Sequence, residues 1–149
     1  MISHRGNIDG PNKELENYPS YILKAIQQGY DVEVDVWYRN ERYFLGHDKP
    51  EYEVDIDFLK NKKIWCHCKN IDALEKLLDN DIHCFFHNTD AVTLTSEGFL
   101  WTYPGKKLTK SSICVLPEDT GWTEKSIVNI SGICSDYISK YRKIIEGLK

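Results

Sequence analysis

Val32, Val34 and Val36 alternate with Glu33, Asp35 and Trp37. That period of two puts the valines on one face of a strand and both carboxylates on the other. After a turn at Arg39-Asn40-Glu41-Arg42, Tyr43-Phe44-Leu45 predicts a hairpin that ends at Gly46-His47-Asp48. Elsewhere the helical period takes over. Tyr21, Ile22, Ala25 and Ile26 predict a helix over 17–28, with Gly29 suited to the position after its last turn. Ile71, Leu74, Leu77 and Leu78 predict a helix over 71–78 with those four residues on one face. Residues 55–61 read as a short helix and 137–148 as a longer one. Ile2-Ser3-His4-Arg5-Gly6-Asn7 reads as a very short strand running into a Gly-Asn turn. Further strands are predicted over 63–69, 82–87, 113–116, 127–130 and 133–135, and a hairpin over 91–103 turning at Ser96-Glu97-Gly98.

Strands alternating with helices predict an α/β fold around a parallel sheet. No Gly/Ser linker, low-complexity tract, fixed-period repeat or block of five like charges marks a boundary in the 149 residues, so 1–149 is expected to be one domain. Hydrophobic residues at 41% and charged residues at 28% are ordinary for a globular protein. With 19 Lys plus Arg against 23 Asp plus Glu, the net charge of -4 gives no basic field to gather nucleic acid. A compact partner is expected instead. Met1-Ile2-Ser3-His4-Arg5 lacks the apolar stretch of a signal peptide, and no run approaches the roughly 20 apolar residues of a membrane span. Both absences predict a cytoplasmic protein. The cysteines number five, and Cys66, Cys84, Cys114 and Cys134 lie in apolar, strand-like runs. They read as buried free thiols rather than a disulfide framework.

Glu33 and Asp35, two residues apart on one strand face, can share a divalent cation as hard oxygen ligands. Taken alone, the pair reads more readily as a solvated strand face. His4-Arg5 and His47-Asp48 change that reading, because together these pieces supply two imidazoles, a guanidinium and two carboxylates. That inventory suits a phosphodiester. The planar fork of Arg5 can bind two nonbridging oxygens, and a metal on Glu33 and Asp35 can neutralise the remaining charge. One imidazole can take a proton from the attacking oxygen while the other protonates the leaving alkoxide, roles that match an unperturbed pKa of about 6.5.

Ile2-Ser3-His4-Arg5-Gly6-Asn7, then Gly29-Tyr30-Asp31-Val32-Glu33-Val34-Asp35-Val36, then Leu45-Gly46-His47-Asp48, resembles the opening signature of the glycerophosphodiester phosphodiesterases, which the phospholipase D-type spider toxins share. The resemblance implies a TIM-type barrel in which His4 and His47 act as acid and base, Arg5 binds phosphate, and Glu33 and Asp35 ligate Mg²⁺ or Ca²⁺. Ile64-Trp65-Cys66-His67-Cys68-Lys69 aligns with a family strand that reads Glu-x-Lys, whose Glu completes the metal site and whose Lys contacts phosphate. Here His67 stands in the Glu place and Lys69 keeps its own. Gly132-Ile133-Cys134-Ser135-Asp136 resembles the final barrel strand. A full barrel needs about 250 residues, so the expected fold is a reduced TIM-type (β/α) barrel with several covering helices missing. An imidazole at position 67 softens the donor set and shifts preference from Mg²⁺ or Ca²⁺ towards Mn²⁺ or Zn²⁺. Alternatively, His67 donates a hydrogen bond to phosphate and leaves a site of two carboxylates.

Cys66-His67-Cys68, with His83, Cys84 or His87, can also be read as a zinc cluster. Strand alternation argues against it, because both thiols point away from His67 and towards the covering helices. His87 and Asn88, at the end of a predicted strand, either reach the substrate or stay in a solvated loop. Trp101-Thr102-Tyr103-Pro104-Gly105 fits core aromatic mass or an apolar wall for the substrate's alcohol. Glu118 receives no role. The expected function is therefore hydrolysis of a small glycerophosphodiester-like molecule, a lysophospholipid being the weaker option for want of an apolar membrane-docking stretch. The rival expectation is a noncatalytic module that keeps the barrel and binds a phosphate ligand or a partner. Missing helices would leave strand surface uncovered, a motive for a homo-oligomer.

Overall fold

The computed structural model describes residues 1–148, and its longest strand is the one that carries the valines and the two carboxylates. In chain order the elements are β1 (Ile2–His4), α1 (Pro19–Gln27), β2 (Asp31–Arg39), β3 (Arg42–Leu45), β4 (Tyr52–Val54), α2 (Ile56–Leu59), β5 (Ile64–Cys68) and α3 (Ile71–Asp79). Then come β6 (Cys84–Phe86), β7 (Val92–Leu94), β8 (Leu100–Thr102), β9 (Ser112–Val115), a 3₁₀ turn (Pro117–Asp119), α4 (Glu124–Ile127), β10 (Gly132–Ser135) and α5 (Ile138–Gly147).

All strands belong to one ten-stranded mixed sheet. Its central run, β6-β5-β2-β1-β10-β9-β8, is parallel throughout, whereas β3, β4 and β7 join antiparallel. The parallel arrangement follows from the predicted alternation, but the expected reduced TIM-type barrel does not form. The sheet is open. Among the described residues no ladder joins β6 to β7 or β8, and isolated bonds cross instead, among them Ser96 N to Cys84 O (2.8 Å), Cys84 N to Ser96 Oγ (2.9 Å) and Thr93 Oγ1 to Phe86 O (3.0 Å). The reason is local. Where a barrel would place strand-helix units between β6 and β9, this chain has only the short β7-β8 hairpin, too little backbone to complete a ring of ladders.

Three apolar clusters hold the layers together. Val32, Val34 and Val36, with Cys66 and Cys68, pack under Ile22 and Ala25 of α1 and Ala73 and Leu77 of α3. The thiols thus face the helices, as alternation predicts, and all five cysteines are buried. On the other face, inside the curve of the sheet, Ile2, Trp65, Phe85, Trp101, Ile113 and Val115 meet. A third cluster places Tyr30, Cys114 and Ile133 against Ile138 and Tyr141 of α5.

Several local expectations need correction. The first helix starts at Pro19 and not at residue 17, because Asn17 takes a left-handed conformation (φ +63°) and Pro suits a first helical turn. In α3 the packing face turns on Ala73 and Leu77, leaving Ile71 62% and Leu78 49% exposed. The strand expected over 127–130 does not form: Ile127 is the last residue of α4 and is buried in the α5 cluster, and 128–130 turn into β10. Burial there outweighs the β preference of Ile127 and Val128. Strand β4 was not expected either, although Tyr52, Glu53 and Val54 alternate; at three residues the pattern is too short to stand out beside the helix that follows. Among the described residues no helix is long and apolar enough to cross a membrane.

Candidate phosphate and metal site

The carboxyl ends of β10, β1, β2 and β5 lie side by side, the edge at which open α/β sheets bind ligands. Register then decides which side chains meet. His4 pairs with Glu33 across β1 and β2, and Asp35 pairs with His67 across β2 and β5. Each parallel pair sets a carboxylate beside an imidazole. His67 Nδ1 is 3.2 Å from Asp35 Oδ1 and 3.6 Å from Glu33 Oε1, and His4 Nε2 is 3.8 Å from Glu33 Oε2. The solvated-face reading of the pair is overturned, since Glu33 is 2% exposed and Asp35 0%.

Asp35 is the most heavily supported of the group. Its backbone N–H donates to Asn17 Oδ1 and its Oδ2 accepts from Asn17 Nδ2, both at 2.9 Å. Arg5 Nε also lies 2.9 Å from Oδ2, and Lys69 Nζ 3.8 Å from Oδ1. Burial alone would raise the Asp35 pKa, but His67 and Arg5 outweigh it and hold the carboxyl well below the usual range. The same contacts oppose burial at His67 and push its pKa up to about 9.

Arg5 reaches this position through a left-handed backbone (φ +54°), a conformation worth about 1–3 kcal/mol of strain in a non-glycine residue. Its ion pairs with Asp35 and, at 3.2 Å through Nη1, with Glu16 hold it there. They also occupy much of its fork. The expected two-pronged phosphate grip is therefore reduced to the remaining Nη2.

Behind His4 stands a carboxylate that the sequence reading passed over. His4 Nδ1 donates to Asp136 Oδ1 at 2.7 Å, and the same oxygen accepts from Asn7 Nδ2 at 2.8 Å. Burial lowers the His4 pKa, but Asp136 and Glu33 together carry it above the ordinary value. Glu118, also left without a role, accepts from Asp136 N (2.9 Å) and from Ser135 Oγ (2.9 and 2.8 Å). It fixes the end of β10. The signal available was that Asp136 directly follows a strand likened to the last of a barrel, which lies beside the first, as β10 lies beside β1.

His47 stands at the rim, 45% exposed, with Nδ1 2.7 Å from Asp48 Oδ1. Its loop leaves β3 through Gly46 at φ +150°, where a Cβ would lie 2.0 Å from Lys49 O. Only glycine fits, and Trp37 Nε1 donates to Gly46 O at 2.7 Å to pin the turn.

His4, Arg5, Glu33, His47, His67, Lys69 and His87 line one cavity of about 330 Å³, with Trp101 and Tyr103 on its wall. Asp35 sits beneath them. Ligand atoms of Glu33, Asp35 and His67 lie within 4.8 Å of one another. Glu33 Oε2, Asp35 Oδ1 and His67 Nε2 are buried without an aligned hydrogen bond among the described residues. Buried carboxylate oxygens left in that state are costly, and a divalent cation would satisfy them. The donor set fits a metal. The chain matches no protein-family model, no curated protein and no solved structure.

Proposed function

We propose that this protein is a metal-dependent phosphodiester hydrolase of the glycerophosphodiester phosphodiesterase kind, acting on a small glycerophosphodiester-like molecule. The observation that carries this reading is the meeting of His4, Arg5, Lys69 and the Glu33, Asp35, His67 cluster around one cavity. Glu33, Asp35 and His67 would hold the ion, which when bound supplies neutralisation of phosphate charge. Two carboxylates admit Mg²⁺ or Ca²⁺, and the imidazole makes Mn²⁺ or Zn²⁺ the better match.

The chain's own groups divide the proton transfers. With Nδ1–H committed to Asp136, His4 keeps the lone pair of Nε2 for the cavity. It takes the proton of the attacking water as the new P–O bond forms. His47, at the rim, gives a proton to the alkoxide as the other P–O bond breaks. Lys69 and the free nitrogen of Arg5 offset charge on the nonbridging oxygens. Turnover of bis(4-nitrophenyl) phosphate and glycerophosphoethanolamine in Mg²⁺, Mn²⁺, Ca²⁺ and Zn²⁺ tests the scheme. His4→Ala is expected to lose about 100-fold or more in kcat, and unchanged turnover in both His4→Ala and His47→Ala would sink it.

A second reading, a module that binds a phosphate ligand without turnover, is favoured by one feature. His47 is half-exposed and tied to the exposed Asp48, a loose station for a general acid. Tight calorimetric binding of a phosphodiester with no hydrolysis under any of the four metals would decide for it.

A further inference from the structure

We propose that the wall formed by His87 and Tyr103 is a hydroxyl-reading subsite for a ring polyol, a sugar or a cyclitol, esterified to the phosphate. The inference rests on the phosphodiester reading above and goes beyond it by naming the alcohol.

His87 follows β6 and Tyr103 follows β8, so the two come from opposite sides of the opening in the sheet. Their rings stack, with centroids 3.6 Å and planes 20° apart. The stacked pair borders the cavity beyond His67, whose ring centroid is 6.1 Å from that of His87. Tyr103 OH and His87 Nδ1 are buried, and neither has a hydrogen-bond partner among the described residues. Asp90 Oδ2 stays 4.0 Å from that nitrogen, beyond hydrogen-bond reach. Around them Trp101, Pro104, Val115 and Leu116 give the cavity apolar sides. Apolar walls with a few converging polar groups are the make-up of a small-molecule pocket.

A ring polyol has the complementary surface, with C–H faces for the walls and hydroxyls for the two unpaired groups. Burial and the Glu33 carboxylate push the Tyr103 pKa up, which keeps the phenol a donor. The unprotonated nitrogen of a neutral imidazole accepts, and Nδ1 of His87 is the one left without a partner among the described residues. A hydroxyl needs one partner of each kind. An alkyl or acyl chain would leave both groups buried and unpaired, at a cost of about tenfold in affinity for each. A quaternary ammonium needs open aromatic faces, and one face of Tyr103 is already covered by His87. The second alcohol has its own station. Arg5 and His47 also border a groove of about 410 Å³ edged by Lys13, Glu16, Lys49 and Glu51, which suits a short polar alcohol such as glycerol.

The test is calorimetric binding to the full chain saturated with Mn²⁺, using glycerophosphoinositol, glycerophosphoglucose, glycerophosphocholine and diethyl phosphate. At least one ring polyol diester is expected to bind about 100-fold more tightly than the choline diester, about tenfold for each group paired, and which one does so separates cyclitol from sugar. Tyr103→Phe keeps the ring and removes the hydroxyl, and His87→Phe keeps an aromatic ring and removes both nitrogens, so each is expected to cut that preference about tenfold while leaving diethyl phosphate unchanged. Equal affinities for all four probes, or equal losses for all four in Tyr103→Phe, would overturn the subsite and leave the phosphodiester reading standing. Binding of none of the four would overturn both.

Discussion

Asp136→Asn isolates what the partner of His4 contributes. The amide has the shape of the carboxylate, and its orientation is not free. Asn7 Nδ2 donates at 2.8 Å to the same oxygen that receives His4 Nδ1 at 2.7 Å, so the amide must turn its carbonyl towards both. The tautomer of His4 is therefore retained, and the change is confined to charge. A hydrogen bond to a charged group is worth about 1.5–3 kcal/mol and a neutral one about 1. Any step in which His4 is protonated should lose the difference, about 0.5–2 kcal/mol, or roughly 2–30-fold in kcat. Stability should move little, by about 2–4 °C or less in Tm, because the acceptor survives. The pH profile supplies the sign. Burial lowers the His4 pKa and Asp136 raises it, so removing the charge lets burial prevail and the pKa falls. A base works above its pKa, and the acidic limb of kcat/KM should shift to lower pH. The assay is kcat and kcat/KM on bis(4-nitrophenyl) phosphate from pH 5 to 9, alongside thermal melts. A kcat within twofold of wild type and an unmoved limb would refute the role given to Asp136, and a large fall in Tm with no shift would make it merely structural.

Two further outcomes concern the buried carboxylates. At a metal concentration about 100-fold above Kd, wild-type protein should gain about 2.7 kcal/mol, an upward shift of roughly 5–10 °C in Tm, and Glu33→Gln should lose most of it; an equal shift in the variant would remove Glu33 from the ligand set. In EDTA, the ion pairs of His67 stabilise the fold fully below its ordinary pKa of 6.5 and are lost as pH rises through about 9, so Tm should fall across that window by on the order of 3 kcal/mol of stability. His67→Gln should flatten the slope, and a wild-type melt that is flat from pH 6.5 to 9.5 would count against a protonated His67.

How much of this was legible in the chain varied with distance along it. The period of two in β2 placed Glu33 and Asp35 together opposite the valines, because side-chain direction in a strand is a local property. The helix of residues 71–79 was equally plain in extent, yet its packing face was misjudged. Periodicity admits several neighbouring faces, and the small Ala73, not the larger Leu78, lets α3 approach the sheet. Asp136 was out of reach of periodicity alone. Its partner His4 lies 132 positions away, and no local pattern says that β10 pairs with β1. Openness of the sheet was hidden for the same reason, since it depends on whether distant edges meet and not on any one segment.

The corrected fold also explains why the site does not need a closed barrel. Its metal-binding and phosphate-binding groups come from β1, β2 and β5, three strands joined by continuous parallel ladders, with Asp136 and Glu118 added from the adjoining β10 edge. Closure would occur on the far side, between β6 and the β7-β8 hairpin, and the groups that hold charge are indifferent to it. The alcohol wall is different. His87 and Tyr103 sit on the two sides of the opening, joined there by ring stacking, with Phe85 against Trp101 at 4.6 Å below them. Side-chain contacts deform more readily than ladders, so the opening should widen or narrow with the alcohol it receives while the spacing of Glu33, Asp35 and His67 stays fixed. Affinity for phosphate and metal should accordingly be insensitive to changes at His87 and Tyr103. Selectivity among alcohols should reside almost wholly there.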